Sequence, residues 1–519
     1  VTRRARGEHA ISRRQLLKVG LGAAGLVVAS RLSIGADLKS PRRPNILFLM
    51  DDEHRGDCLG CDGNKVIRTP NMDRLAAEGA MFRRAYSSLP SCTPARASLL
   101  TGQSPWGHGM LGFATVAQRY PFEKPRLMKE GGYYAVGIGK MHFHPQRNTH
   151  GYERMILEEG WHSANKNGFK CDYQEYFAKN APGQDINATG LSYNDRRSMA
   201  FPFKDELHAT YFTAQTAIDF LNAYKGDQPF FLKVSFQRPH SPYDPPQRFM
   251  DLYKDADLPK AQVGEWAQKK FGSFGPPRIP ESPRGNLGPK VVRNTRQGYY
   301  GAISFVDEQI GRLLDVLQKR GFLDNTLILF TCDHGEMAGD QHLWRKTYAY
   351  EGSARIPMIV SWGKDVLEAK RGQVLSQLVE LRDVLPTFLE AGGIDIPASM
   401  EGKSLLGLIR GKTDGWRKLL DLEHGTCYWN QNVWTAITDG RFKYIYHAFD
   451  GEQQLFDLDK DPNELKDLAA DPASAETLRQ WRRRMADHLA VRGEPWVKNG
   501  DLGLRTKPIL YGPNYPKSA

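Results

Sequence analysis

The stretch Ser91-Cys92-Thr93-Pro94-Ala95-Arg96-Ala97-Ser98-Leu99-Leu100-Thr101-Gly102 sets a sulfur nucleophile just ahead of a proline, with a cation four residues on. Proline is favoured in the first helical turn, so the spacing predicts a helix opening near Pro94, with Cys92 at its positively polarised end. Arg96 then lies one turn on, where it can point back toward position 92. A nucleophile beside a cation at a helix N-terminus faces an anion-binding corner. A buried cysteine ahead of a capped helix satisfies the same spacing, so this motif alone leaves both readings open.

Other reactive residues sit where strands should end. Asn45 to Met50 runs into Asp51-Asp52, and Tyr134 to Ile138 into Gly139-Lys140-Met141-His142. Phe230 to Phe236 leads to Arg238-Pro239-His240, and Thr326 to Phe330 to Asp333-His334. Apolar runs without alternation suit strands covered on both faces. Helical segments lie between them. Thr69-Pro70-Asn71 supplies an N-cap and a first-turn proline with Gly79 as C-cap, and Ile303, Val306, Ile310, Leu313, Leu314 and Leu317 recur at helical spacing. This alternation predicts an α/β fold with a mostly parallel central sheet flanked by helices. In such sheets ligands collect beyond the carboxyl ends of the strands.

Residues Pro259 to Val291, rich in Pro, Gly and Lys, read as a long surface excursion near the site. After about Thr413 the pattern changes. Trp434–Thr438, Lys443–Tyr446, Gln454–Leu458 and a helix over Ala475–Leu489 predict a smaller C-terminal antiparallel α+β subdomain. The expected division is 43–413 for the catalytic domain and 414–519 for the subdomain and tail.

The segment Cys92 to Gly102 resembles the signature of type I sulfatases, in which the cysteine is oxidised to formylglycine. Gly132-Tyr133-Tyr134-Ala135-Val136-Gly137-Ile138-Gly139-Lys140-Met141-His142 resembles the second signature of that family. Further landmarks follow in order: Asp51-Asp52, Pro239-His240-Ser241-Pro242, Asp333-His334-Gly335-Glu336, Lys346 ahead of Tyr350-Glu351, and Leu455-Phe456-Asp457-Leu458 with Asp461-Pro462. The resemblance implies an alkaline-phosphatase-like fold and hydrolysis of sulfate monoesters of small aryl compounds or of glycans. The nucleophile would be made from Cys92 by a formylglycine-generating enzyme.

It also implies a divalent cation on Asp51, Asp52, modified Cys92, Asp333 and His334. Three aspartates from two strand ends are the hard oxygen ligands such an ion requires. By the same resemblance Arg96 steadies the modified residue, while Lys140 and Lys346 neutralise sulfate oxygens. His240 holds the ester and, with Lys346, assists proton delivery to the leaving alcohol. His142 takes a proton from the nucleophile's second hydroxyl so that sulfate departs. Many members carry Asn where His334 stands. The Asp-His form is similar to choline sulfatases and to phosphonate or phosphodiester hydrolases of the superfamily, which makes phosphodiester or phosphonate monoester hydrolysis the alternative expectation. An amide oxygen suits Ca²⁺ whereas an imidazole also admits Mn²⁺, so Ca²⁺ is expected and Mn²⁺ is the alternative. Arg238, Tyr243, Trp344, Arg345 and His144 are candidates for lining a sugar or aryl pocket.

Composition agrees with an exported enzyme. Of the net charge of +12, half falls in the first 36 residues, where seven Lys/Arg face only Glu8. The rest is mild for 519 residues and compatible with steering anionic small substrates, with no nucleic-acid partner expected. Ser12-Arg13-Arg14-Gln15-Leu16-Leu17-Lys18 is a twin-arginine pattern, and the apolar run Val19 to Ser30 is too short for a bilayer core of about 30 Å. Residues 1–36 therefore read as a signal peptide for twin-arginine export machinery, giving a periplasmic or secreted protein without a membrane span. Six cysteines are too few for a disulfide framework, Cys58-Leu59-Gly60-Cys61 lacks the second pair of a zinc site, and Cys332 is expected to pack. The intact set Cys92, Arg96, Lys140, His142, His240 and Lys346 argues against a non-catalytic glycan-binding protein.

Overall fold

Residues 43–160, 168–272 and 281–517 are described in the computed structural model of the chain. The expected signal peptide and Phe274-Gly275-Pro276-Pro277 lie outside them. The main sheet contains β1 (Asn45–Asp52), β2 (Gly79–Phe82), β3 (Tyr134–Gly139), β4 (Arg154–Leu157), β5 (Phe230–Pro239), β6 (Thr326–Cys332), β7 (Met358–Trp362) and β8 (Gln373–Leu375). Its strand order is β4-β3-β5-β1-β6-β7-β2-β8. Every pairing from β4 to β6 is parallel, and β7 runs antiparallel to β6 and β2.

The central strand shows why the apolar runs do not alternate. Ile46, Phe48 and Met50 enter the core on one face, while Leu47 and Leu49 enter the core on the other. The second face is covered by the long helix Pro289–Lys319 through Val306, Ile310, Leu313, Leu314 and Leu317. That helix begins inside the segment read as an excursion, because Pro289 fits its first turn and Val292 and Thr295 are already buried. A second helix, Glu265–Phe271, also lies within the excursion and buries Ala267 and Phe271. Gly79 is not the cap of the helix Pro70–Ala77; Glu78 is, and Gly79 opens β2. A Cβ at Gly79 would fall 2.1 Å from the Val360 carbonyl, so glycine is what lets β2 lie against β7.

The C-terminal sheet is an antiparallel meander of β9 (Leu420–His424), β10 (Trp434–Thr438), β11 (Phe442–His447) and β12 (Glu452–Asp457). The helix Ala475–Leu489 lays Trp481, Met485 and Leu489 on Ile437, Tyr444 and Leu455. The opposite face joins Trp434, Ile445 and Phe456 to Leu343, Tyr348 and Tyr350 of the segment after β6. The small sheet is thereby fused to the loops that follow the main sheet's carboxyl edge. No helix among the described residues is long and apolar enough to cross a membrane.

Candidate active site

The helix carrying Cys92 spans Cys92–Thr101, two residues earlier than Pro94 alone would set it. Ala95 N–H donates to the Ser91 carbonyl at 3.0 Å, and Pro94 sits within the first turn, where a missing N–H costs nothing. Cys92 and Arg96 share one helix face and are both buried. The Cys92 sulfur lies 3.1 Å from His334 Nε2. Burial opposes ionisation of this thiol, yet Lys346, Lys140 and His334, helped by a hydrogen bond from His142, hold it well below its ordinary range. The corner is cationic enough to hold an anion in the interior.

Arg96 is the organising cation. Its Nη2 donates to Asp52 Oδ2 (2.8 Å), Nε to Asp333 Oδ2 (2.9 Å), and Nη1 to the Lys140 carbonyl (2.8 Å) and Ser235 Oγ (3.2 Å). The guanidinium thus holds the two carboxylates rather than donating to Cys92. Lys140 Nζ lies 2.6 Å from Asp52 Oδ2 and 3.0 Å from Tyr193 Oη. Burial works against both charges of this pair; Asp52 and Lys140 nevertheless hold each other ionised, far below and well above their usual ranges.

Asp52, Cys92, Asp333 and His334 offer ligand atoms within 4.8 Å of one another. Asp52 Oδ1 is buried without a hydrogen-bond partner, a donor set and an orphaned oxygen that fit a divalent cation. His334 Nδ1 donates to the Gly335 carbonyl at 3.1 Å, which turns Nε2 toward the cluster. Asp51, expected among the ligands, lies outside this group. Its Oδ2 is 2.6 Å from His54 Nδ1, and His54 Nε2 donates to the Cys58 carbonyl. Asp51 Oδ1, like Asp52 Oδ1, is buried without a hydrogen-bond partner, and the strand register is irregular between Met50 and Asp52, so one Asp51 oxygen is left to serve a cation.

The sulfatase family model matches residues 44–394, over half of the chain, and a second model, the C-terminal part of N-sulphoglucosamine sulphohydrolase, matches 339–490. The chain belongs to the sulfatase family. It is 38% identical over 478 residues to an arylsulfatase of Clostridium perfringens, covering 90% of this chain and 98% of that protein. It is 31% identical to a choline-sulfatase of Rhizobium meliloti, covering 86% of this chain and 87% of the relative. Its fold is similar to the crystal structure of a phosphonate monoester hydrolase of Agrobacterium radiobacter, with TM-score 0.73 and 24% identity over 89% of this chain and 100% of that one. The expected family and the mostly parallel sheet are both borne out.

In this sulfatase His240 donates from Nδ1 to the Ser241 carbonyl (2.7 Å) and presents Nε2 to Glu53 Oε2 (3.3 Å). Burial, with Lys346 and Lys140 close by, pushes His240 down to about 3, so it stands neutral. Lys346 Nζ lies 3.4 Å from the same Glu53 oxygen, and burial pushes the Glu53 carboxyl well up. Tyr193 packs its ring on His240 at 4.6 Å between centroids. Sequence reading missed Glu53 and Tyr193; Glu53 adjoins the aspartate pair and was within reach, whereas nothing local marks Tyr193.

Most of the pocket candidates resolve as structure. Tyr243 Oη donates to Glu336, Trp344 Nε1 donates to the Gly285 carbonyl, and Arg238 Nε donates to Asp244, all three residues buried. His144 is exposed and lines a cavity of about 990 Å³ with Arg119, Arg126 and Tyr515. Arg345 is the exception, stacked 3.9 Å from the Tyr428 ring. Cys332 packs as expected and accepts from His54 N–H, while Cys58 and Cys61 belong to no metal-binding group among the described residues.

Proposed function

We propose that this sulfatase is an exported enzyme that cleaves aryl or carbohydrate sulfate monoesters, using a nucleophile made from Cys92 and a Ca²⁺ ion held by Asp51, Asp52, Asp333, His334 and residue 92. The observation that carries the reading is a buried thiol position ringed by Lys140, Lys346 and His334, beside a carboxylate oxygen that lacks a partner. Cations aimed where charge gathers in the transition state are the largest single source of rate in such sites. When present, the cation would polarise the sulfate and formylglycine at position 92 would supply the attacking hydroxyl.

The chain's own residues then divide the work. Lys140 and Lys346 neutralise sulfate oxygens as compact point charges. Neutral His240, linked through Nε2 to the Glu53 carboxyl, relays a proton to the leaving alcohol. His142, acting on Cys92, removes a proton there so that sulfate is released. The twin-arginine segment supports export, and the formylglycine-generating enzyme is the partner this site requires.

A tetrahedral phosphodiester or phosphonate would fit the same cradle. Turnover of 4-nitrophenyl sulfate against bis(4-nitrophenyl) phosphate decides between them: a higher kcat/KM for the sulfate is expected, and the reverse order overturns the reading.

A further inference from the structure

Among the described residues, Arg345 is a buried cation that makes no ion pair. It is 7% exposed, and its Nε is enclosed without a hydrogen-bond partner. Among the described residues its side chain makes no ion pair and no hydrogen bond. Among the other buried arginines, Arg96 is matched by Asp52 and Asp333, Arg238 by Asp244 and Arg296 by Asp340, whereas Arg505, over the Trp496 ring, also lacks an ion pair among the described residues but lies away from the site. A ring beneath a guanidinium offsets only part of the cost of removing its charge from water. The ring here is Tyr428, from the loop between β9 and β10, and its own hydroxyl is buried and unpartnered. Both residues are held at positive φ, 64° and 69°, a conformation that non-glycine residues adopt only when the surroundings impose it.

The position is that of a second anion site rather than a part of the first. The ionisable groups acting on Lys346 begin with Cys92 and Glu53, whereas those acting on its neighbour Arg345 are Tyr428, Glu53, Tyr348 and Cys427. Arg345, one residue from Lys346 and 3.9 Å from the Tyr428 ring of the β9–β10 loop, therefore lies on the C-terminal side of the site. We propose that Arg345, braced on Tyr428, recognises a second anionic group, a carboxylate or a further sulfate, carried by the leaving alcohol. The substrates favoured by this sulfatase are then acidic: sulfate esters whose alcohol is itself charged, such as an acidic sugar unit. This inference rests on the sulfate-ester reading above.

The test uses the metal-loaded enzyme, converted at position 92, with three esters: phenyl sulfate, 3-carboxyphenyl sulfate and resorcinol disulfate. Sulfate release gives kcat/KM for each. The wild type should prefer at least one anionic ester over phenyl sulfate by about tenfold or more, the scale of one buried charged contact. Arg345→Gln should shrink that ratio to within about threefold, mainly through KM, and Arg345→Lys should restore part of it. Whichever anionic ester carries the preference identifies carboxylate or sulfate as the group read. Turnover without a preference, or an equal loss on all three esters in Arg345→Gln, overturns the proposal alone. A wild type that cleaves none of the three while cleaving a phosphodiester overturns the sulfate-ester reading as well.

Discussion

On the sheet side of the pocket, Arg96 and Lys140 meet Asp52 and Asp333 in short ion pairs, leaving Asp52 Oδ1 as the open oxygen that a cation would take. On the C-terminal side, Arg345 and His424 are buried and Tyr428 half-buried, and all three keep polar atoms without partners, both ring nitrogens of His424 among them. Burial, reinforced by His334, pushes His424 down to about 3, so it stays neutral there. The difference separates two tasks. The paired side is rigid before any ligand arrives, as charge stabilisation requires. The unpaired side pays for its burial only when a ligand completes it, which is how a binding surface discriminates between ligands.

Substitutions at five positions test this division, beginning with the largest effect. Cys92→Ala should lower kcat by several decades, the scale of losing a covalent nucleophile, with the melting temperature nearly unchanged. Residual activity within about tenfold of wild type would place the nucleophile elsewhere. Next, Arg96→Ala strips Asp52 and Asp333 of their shared partner and should destabilise the metal-free protein by about 3–5 kcal/mol in urea unfolding. Added Ca²⁺ should return part of that loss, since a cation would again face the two carboxylates.

His334 gives the third test. His334→Asn keeps an oxygen ligand and should retain metal while shifting preference from Mn²⁺ toward Ca²⁺. His334→Ala should weaken metal binding by about tenfold or more, measured as bound metal after dialysis. Asp51→Asn, which keeps one oxygen, should lose less metal in the same dialysis than His334→Ala, because the other Asp51 oxygen is already committed to His54. The smallest effect belongs to the unpaired side: Arg345→Gln should change unfolding stability by no more than about 1 kcal/mol, because no ion pair is broken. A loss there matching Arg96→Ala would erase the contrast between the two sides.

Legibility in the sequence followed the same line. The sheet side is written in contiguous motifs at strand ends, so Cys92, Arg96, Lys140, His240 and Lys346 could be named from spacing and resemblance, and the structure brings them together. The alternation of β1 between two cores likewise follows from its unbroken apolar run. What stayed hidden depends on distant placement. Tyr428 reaches Arg345 across 82 intervening positions, carried by a sheet whose first strand, β9, was not foreseen. Tyr193 meets Lys140 and His240 from a loop with no marking motif. Asp51 reads as a ligand beside Asp52, but its contact with His54 is one that nothing in the motif marks.

The most direct test of the central claim, a nucleophile made from Cys92, is the mass of the peptide containing residue 92, read alongside activity across preparations converted to different extents. The account predicts a species lighter by the difference between a thiol and an aldehyde side chain, with sulfate-ester turnover proportional to its fraction and vanishing as that fraction goes to zero. Full activity in a preparation whose Cys92 is wholly unmodified would contradict it.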